Sequence, residues 1–100
     1  MRIYISHQYG GKEENKLHVE NIIKELVKNN PQHTYVSPIH AVGFLYNDVS
    51  YEQGIEYCLD LLKMCDVMYT FGEHSNSKGC IIEKRFCKDN NIPIIDISGA

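Results

Sequence analysis

The sequence predicts an α/β domain: a small, doubly wound parallel sheet of four to five strands with helices on both faces. Three observations predict it. Short runs rich in β-branched and aromatic residues alternate with longer stretches whose apolar residues recur at helical spacing. The two loops richest in glycine and polar side chains, residues 7–11 and 72–79, each follow such a run and precede a helical stretch. The chain has 100 residues, which suits one domain spanning 1–100.

Each element can be justified in turn. Arg2 to Ser6 reads as the first strand, with Ile3, Tyr4 and Ile5 at its centre. The turn His7-Gln8-Tyr9-Gly10-Gly11 follows. Lys12 to Asn29 reads as a helix, because Val19, Ile22, Ile23, Leu26 and Val27 form one stripe and Lys and Glu cover the rest. Asn29-Asn30-Pro31 stops it. Thr34 to Val36 is a short second strand ended by Ser37-Pro38. Residues 39–49 show no period and read as a long loop, a length that usually has a functional reason. Ser50 opens a second helix through a capping box with Gln53, and its stripe is Tyr51, Ile55, Cys58, Leu59 and Leu62. Asp66 begins a third strand, Gly79 to Asn90 is a third helix, and Ile92 to Ile97 is the last strand. Right-handed crossovers then give a minimal flavodoxin-like sheet of order 2-1-3-4. In such sheets ligands bind at the carboxyl ends of the strands, at the switch between strands one and three. The loops 7–11 and 72–79 meet there.

Composition narrows the function classes. A net charge of −3 offers no basic patch, so nucleic acid and anionic membrane are not expected as partners. No apolar run approaches the ~20 residues of a membrane span. The N-terminus enters strand pattern at once, so no signal peptide is expected and the location expected is cytoplasmic. The four cysteines, 58, 65, 80 and 87, contain no C-x-x-C and read as reduced, buried thiols. The five histidines give no helical ligand pair, so no metal is expected. His7 and His74 lie in the two site loops; His18 and His33 read as surface residues, and His40 as a loop anchor.

The most informative stretch is 66–83, a buried strand, a polar loop and a helix opening. From Ser77 onward, Glu83 shares a face with Cys80, Phe86 and Cys87. That face is apolar, and a carboxylate there needs a partner or a task. Gly10-Gly11 suits phosphate contact through backbone amides, and equally suits a plain turn. Ser75 and Ser77 add hydroxyls at the other helix start, where simple N-capping is the competing explanation.

Ser77-x-Gly79-x-x-x-Glu83, after a strand opening Cys65-Asp66-Val67, resembles the nucleoside 2-deoxyribosyltransferase superfamily, which includes the deoxynucleoside 5′-monophosphate N-glycosidases. The chain is similar over nearly its whole length to small, often phage-borne relatives of the DUF4406 type, which carry Ile-Ser-His-x-Tyr-Gly-Gly near the start and Ser-Asn-Ser-x-Gly-Cys before the Glu. The resemblance implies that Glu83 is a nucleophile attacking the anomeric carbon. It implies that Ser77 and Gly79, with the turn His7, Tyr9, Gly10, Gly11, hold substrate and its 5′-phosphate. The superfamily Asp that assists the leaving base falls on Cys58 here. Asp60 and Glu56 are two residues away, about 200° around a helix. The expected acid partner is Asp48 in the long loop, then Glu73, then Asp60.

These readings lead to one expected function and two alternatives. The first is a homodimer or higher homo-oligomer that needs no cofactor and cleaves or transfers the N-glycosidic bond of a (deoxy)nucleoside or its 5′-monophosphate. Glu83 is its nucleophile, and its pKa is expected to be raised by its apolar face and held ionised by Tyr9 or a backbone amide. The helix beginning at Ser50, with its tyrosines, is the expected interface. The alternatives are a non-catalytic nucleotide-binding or sequestering protein and an interaction module presenting Phe44, Tyr46 and Tyr51.

Overall fold

A computed structural model describes residues 1–71 and 77–97. The elements are β1 (Arg2–Ser6), α1 (Glu13–Asn29), β2 (Thr34–Val36), α2 (Pro38–Val42), a 3-10 turn (Gly43–Leu45), α3 (Tyr51–Lys63), β3 (Val67–Thr70), α4 (Lys78–Asp89) and β4 (Ile94–Asp96). The four strands form one parallel sheet in the order β2-β1-β3-β4. Tyr4 of the central strand pairs with Val36 on one side and Met68 on the other. The expected order therefore holds, with helices on both faces.

The alternation of side chains along β1 divides the core. Ile3 and Ile5 face α1 and pack with Val19, Val67 and Phe71. Tyr4 faces α3 and α4 and packs with Leu62, Met68 and Cys87. Ser6 lies on the same side as Tyr4, at the carboxyl end of the strand. That is the end at which the turn 7–11 begins and α4 starts.

Two helix starts form as the sequence predicts. The Ser50 hydroxyl accepts from the Gln53 amide at 3.1 Å and caps α3. The Ser77 hydroxyl accepts from the Cys80 amide at 3.4 Å and caps α4. The region 39–49 differs from expectation. Instead of a loop it begins with α2, whose first residue is Pro38 and whose cap is Ser37, accepting from the His40 amide at 3.3 Å. Proline suits a first helical position because its φ is preset and it lacks an amide hydrogen. Five residues are too few to show a period, which is why α2 and the turn after it escape pattern reading. His40 bridges rather than anchors a loop: its ring contacts Ser37 Oγ at 2.7 Å and Glu20 of α1 at 3.0 Å.

The stripes need refinement. On α1, Val19 is buried and Ile22, Ile23 and Leu26 half-buried, but Val27 is exposed. On α3, Leu62 reaches the core, whereas Tyr51, Ile55 and Cys58 line a cavity. The first half of that stripe is apolar because it forms a wall, not because it packs against the sheet.

Candidate active site

The site is built where β1 ends beneath α4. Tyr4 and Ser6, two residues apart on one face of the strand, both reach Glu83. The Tyr4 hydroxyl donates to Oε2 of Glu83 and the Ser6 hydroxyl donates to Oε1, the latter at 2.7 Å. Glu83 is 6% exposed. Burial raises its pKa above the ordinary value, and the two donated hydrogen bonds oppose that rise. The expected donors were Tyr9 or a backbone amide; the structure puts Tyr4 and Ser6 in that role. Tyr9 lies on the cavity wall.

The groups around the carboxylate are held neutral. The Tyr4 hydroxyl is pushed well above its usual range, first by burial and then by the Glu83 charge. Burial, followed by that same charge, raises the Cys58 thiol to about 11, while a bond with Tyr4 opposes. Cys80 is also raised by burial, against hydrogen bonds from Ser77 and Ser6. One carboxylate thus sits among a phenol and two thiols that keep their protons at neutral pH. Position 58, where the resemblance carries an Asp, does adjoin Glu83.

Above Glu83 opens a cavity of about 440 Å³. Tyr9, Tyr46, Tyr51 and Tyr57 contribute to its walls, with Ile39 and Val42 from α2, Ser77 from the cap of α4, and Lys78 and Gly79 from its first turn. Aromatic walls with a few converging polar groups are the usual construction of a small-molecule site. Among the described residues, Glu83 is the sole carboxylate lining it and Lys78 the sole lysine or arginine. Lys78 Nζ stands 5.1 Å from the centroid of the Tyr51 ring.

The glycine pair splits. Both residues have positive φ, +61° at Gly10 and +72° at Gly11. Gly10 lines the cavity, and a Cβ there would meet nothing within 4 Å. A Cβ on Gly11 would come within 2.9 Å of the Tyr46 ring. Gly11 does not line the cavity; its task is to let Tyr46 approach. Tyr46 in turn stands edge-on to Tyr9, ring centroids 5.5 Å apart. Gly79 lines the cavity, and a Cβ on it would make ordinary contacts with Ile55 and the Tyr51 hydroxyl, the nearest at 3.6 Å.

His7 is 8% exposed and reaches the cavity. Its Nδ1 is 2.7 Å from the Gln8 carbonyl, and a carbonyl only accepts, so Nδ1 carries a hydrogen. Its Nε2 lies 3.0 Å from Nδ1 of His18, so the exposed His18, expected to be a plain surface residue, is tied to the site loop. His33, also expected at the surface, is half-buried beside the N-terminal amine.

Of the carboxylates expected as acid partners, the two described ones, Asp48 and Asp60, stand apart from Glu83. Asp48 is exposed in the turn before α3, where its amide donates to the Leu45 carbonyl, and it does not line the cavity. Asp60 is exposed on α3 and also outside the lining. Glu73, His74 and Ser75 lie outside the described residues. Among the described residues no group of three or more His, Cys, Asp or Glu is placed to hold a metal ion. No helix among them is long and apolar enough to cross a membrane. Sequence reasoning missed Tyr4, Ser6, Tyr57 and Lys78. Tyr4 and Ser6 left a signal: a hydroxyl pair at period two, alternating with the buried Ile3 and Ile5.

The topology is the fold of the 2-deoxyribosyltransferases. The 2-deoxyribosyltransferase of the psychrotolerant bacterium Bacillus psychrosaccharolyticus superposes with a TM-score of 0.70 at 20% identity, over 98% of this chain and 72% of that one. Residues 1–96 match the family described as Domain of unknown function (DUF4406), and the chain belongs to that family. No curated protein matches it.

Proposed function

We propose that this chain binds a (deoxy)nucleoside or its 5′-monophosphate in the tyrosine-lined cavity and cleaves or transfers the N-glycosidic bond, with Glu83 as nucleophile. The observation that carries this reading is a buried carboxylate with both oxygens hydrogen-bonded by Tyr4 and Ser6, lying open to a cavity of nucleoside size. An ionised carboxylate accepts from both donors at once, so the site holds the attacking form in one orientation. A Glu83 oxygen bonds to the anomeric carbon as the carbon–nitrogen bond breaks. The electron pair leaves with the base, which takes up a proton. Water then releases the sugar, or a second base accepts it. Gly10, Ser77 and Gly79 would receive the 5′ end. Ser77 caps α4 through an oxygen lone pair, and its hydroxyl hydrogen would turn from the Cys80 thiol to that end. His7 and Tyr9 would border the same end.

The leaving base needs a proton, and a thiol with a pKa of about 11 at position 58 is poorly matched to give it at neutral pH. Asp48 would serve through movement of its turn, and Glu73 remains the second proposed donor. This same observation favours the second reading, a binding or sequestering protein that does not turn over. Two copies of the chain, meeting through the α3 entrance around exposed Phe44, Tyr46 and Tyr51, would complete the proposed assembly.

The deciding experiment is incubation with the common deoxynucleosides and their 5′-monophosphates, with chromatography for free base. Base released by the wild type and not by Glu83→Gln supports catalysis. Binding without release moves the protein to the second reading, and absence of both rejects the site.

A further inference from the structure

We propose that Lys78 makes the cavity select a 5′-phosphorylated nucleoside over the bare nucleoside, its ammonium leaving the Tyr51 ring to pair with the phosphate. This rests on the nucleoside reading above and assigns a selector within it. The first argument is charge. A monophosphate bound here brings an anion into a cavity that already holds the Glu83 carboxylate. Among the described lining residues, one lysine is present to offset it.

The second argument is position. Lys78 is the first residue of α4 and Glu83 the sixth, so they are separated by about 7.5 Å along the helix axis. A sugar in near-attack contact, ~3 Å from the carboxylate, has its pentose and 5′ carbon to fill the remaining span. Repulsion between the carboxylate and the phosphate favours the orientation that places the phosphate at the lysine end.

The third argument is that the helix does not explain the lysine. A cation in the first turn opposes the helix dipole, and no acidic residue in that turn offsets it. The Tyr51 contact does not explain it either. It spans α4 and α3 across the cavity at 5.1 Å, and an exposed cation–π contact is weak beside a charge-assisted bond to phosphate. A ligand bearing phosphate draws the ammonium across; a neutral 5′-hydroxyl leaves it on the ring.

Calorimetric titration of wild type, Lys78→Gln and Lys78→Arg with each common 2′-deoxynucleoside 5′-monophosphate and its parent nucleoside, at two salt concentrations, tests this. The expected wild-type preference for the phosphorylated form is about tenfold. It should collapse in Lys78→Gln, survive in Lys78→Arg, and weaken at high salt in the wild type. A preference unchanged in Lys78→Gln overturns the proposal. Equal wild-type affinity for the two forms also overturns it, while the nucleoside reading stands. Wild type that binds neither form overturns both.

Discussion

Glu83 and Lys78 ride on the same helix in opposite surroundings. Glu83 is sealed against β1, with each oxygen taken by a hydroxyl of the strand. Lys78 is exposed, its ammonium resting on an aromatic ring. The sealed end is fixed before any ligand arrives; the open end has freedom to adapt. On the proposed reading this is a division of labour: the sheet would hold the carboxylate for bond breaking, and the lysine end of the cavity would choose the ligand.

The largest expected effect comes from breaking the sealed end. Glu83→Gln should lower base release by roughly 1,000-fold or more while retaining nucleotide binding, since it removes an interaction needed in the transition state. Single-turnover assays beside equilibrium titration check this. Equal turnover in the variant would move the nucleophile elsewhere.

Cys58→Asp tests the neighbouring position from the other direction. It places a second carboxylate beside Glu83 and should speed base release on the order of 100-fold, the low end of general-acid contributions. If the rate is unchanged, the proton reaches the leaving base by another route.

Tyr4→Phe removes one of the two donors to Glu83. We expect kcat to fall about tenfold and stability by about 1–3 kcal/mol, as a buried acceptor loses its partner. Ser6→Ala should act in the same direction, and denaturant melts with steady-state rates compare the two.

The open end predicts a split between adjacent glycines. Alanine at either position meets a left-handed backbone, a cost of about 1–2 kcal/mol. Gly11→Ala also drives a methyl into the Tyr46 ring and should lose about 1–3 kcal/mol more. Gly10→Ala should instead show its larger effect in ligand affinity. Thermal melts alongside titrations separate the two, and equal stability losses would contradict the assignment of Tyr46 to Gly11.

The smallest effect is on pH dependence. Because the Glu83 pKa is raised in the fold, the folded state holds that proton more tightly than the unfolded chain. Its contribution to stability is fully present below the ordinary value of 4.5 and is lost as pH rises through the raised value. Catalysis needs the ionised form, so activity should rise across the window in which stability declines. Melting temperatures of wild type and Glu83→Gln across that window should converge at low pH and separate above it.

Much of the scaffold was legible. The bounds of β1 and β2 are those read from the β-rich runs, and Ser50 and Ser77 cap the helices they were expected to open. Glu83 stood out because its spacing to Cys80, Phe86 and Cys87 put a charge on a buried face. Its donors were not legible. Period two says that Tyr4 and Ser6 share a side, but not that α4 presents Glu83 there, which depends on the crossover and on how the helix is turned. Gly11 misled for a similar reason. Its neighbour Tyr46 is 35 positions away in a segment with no period, so a glycine required by packing looked like one required by phosphate. Asp48 was assigned to the site because it occupied a loop, and that segment proved to be short helical turns that leave it facing solvent.

The most direct test of the account is the mass of the protein during reaction. Wild type should be incubated with deoxynucleoside 5′-monophosphates, quenched in acid, and analysed by intact-mass and peptide mass spectrometry. The account predicts an adduct of one deoxyribose phosphate on the peptide containing Glu83, absent from Glu83→Gln, with free base released in at least an equal amount. An adduct on another residue, or base released with no dependence on Glu83, would contradict it.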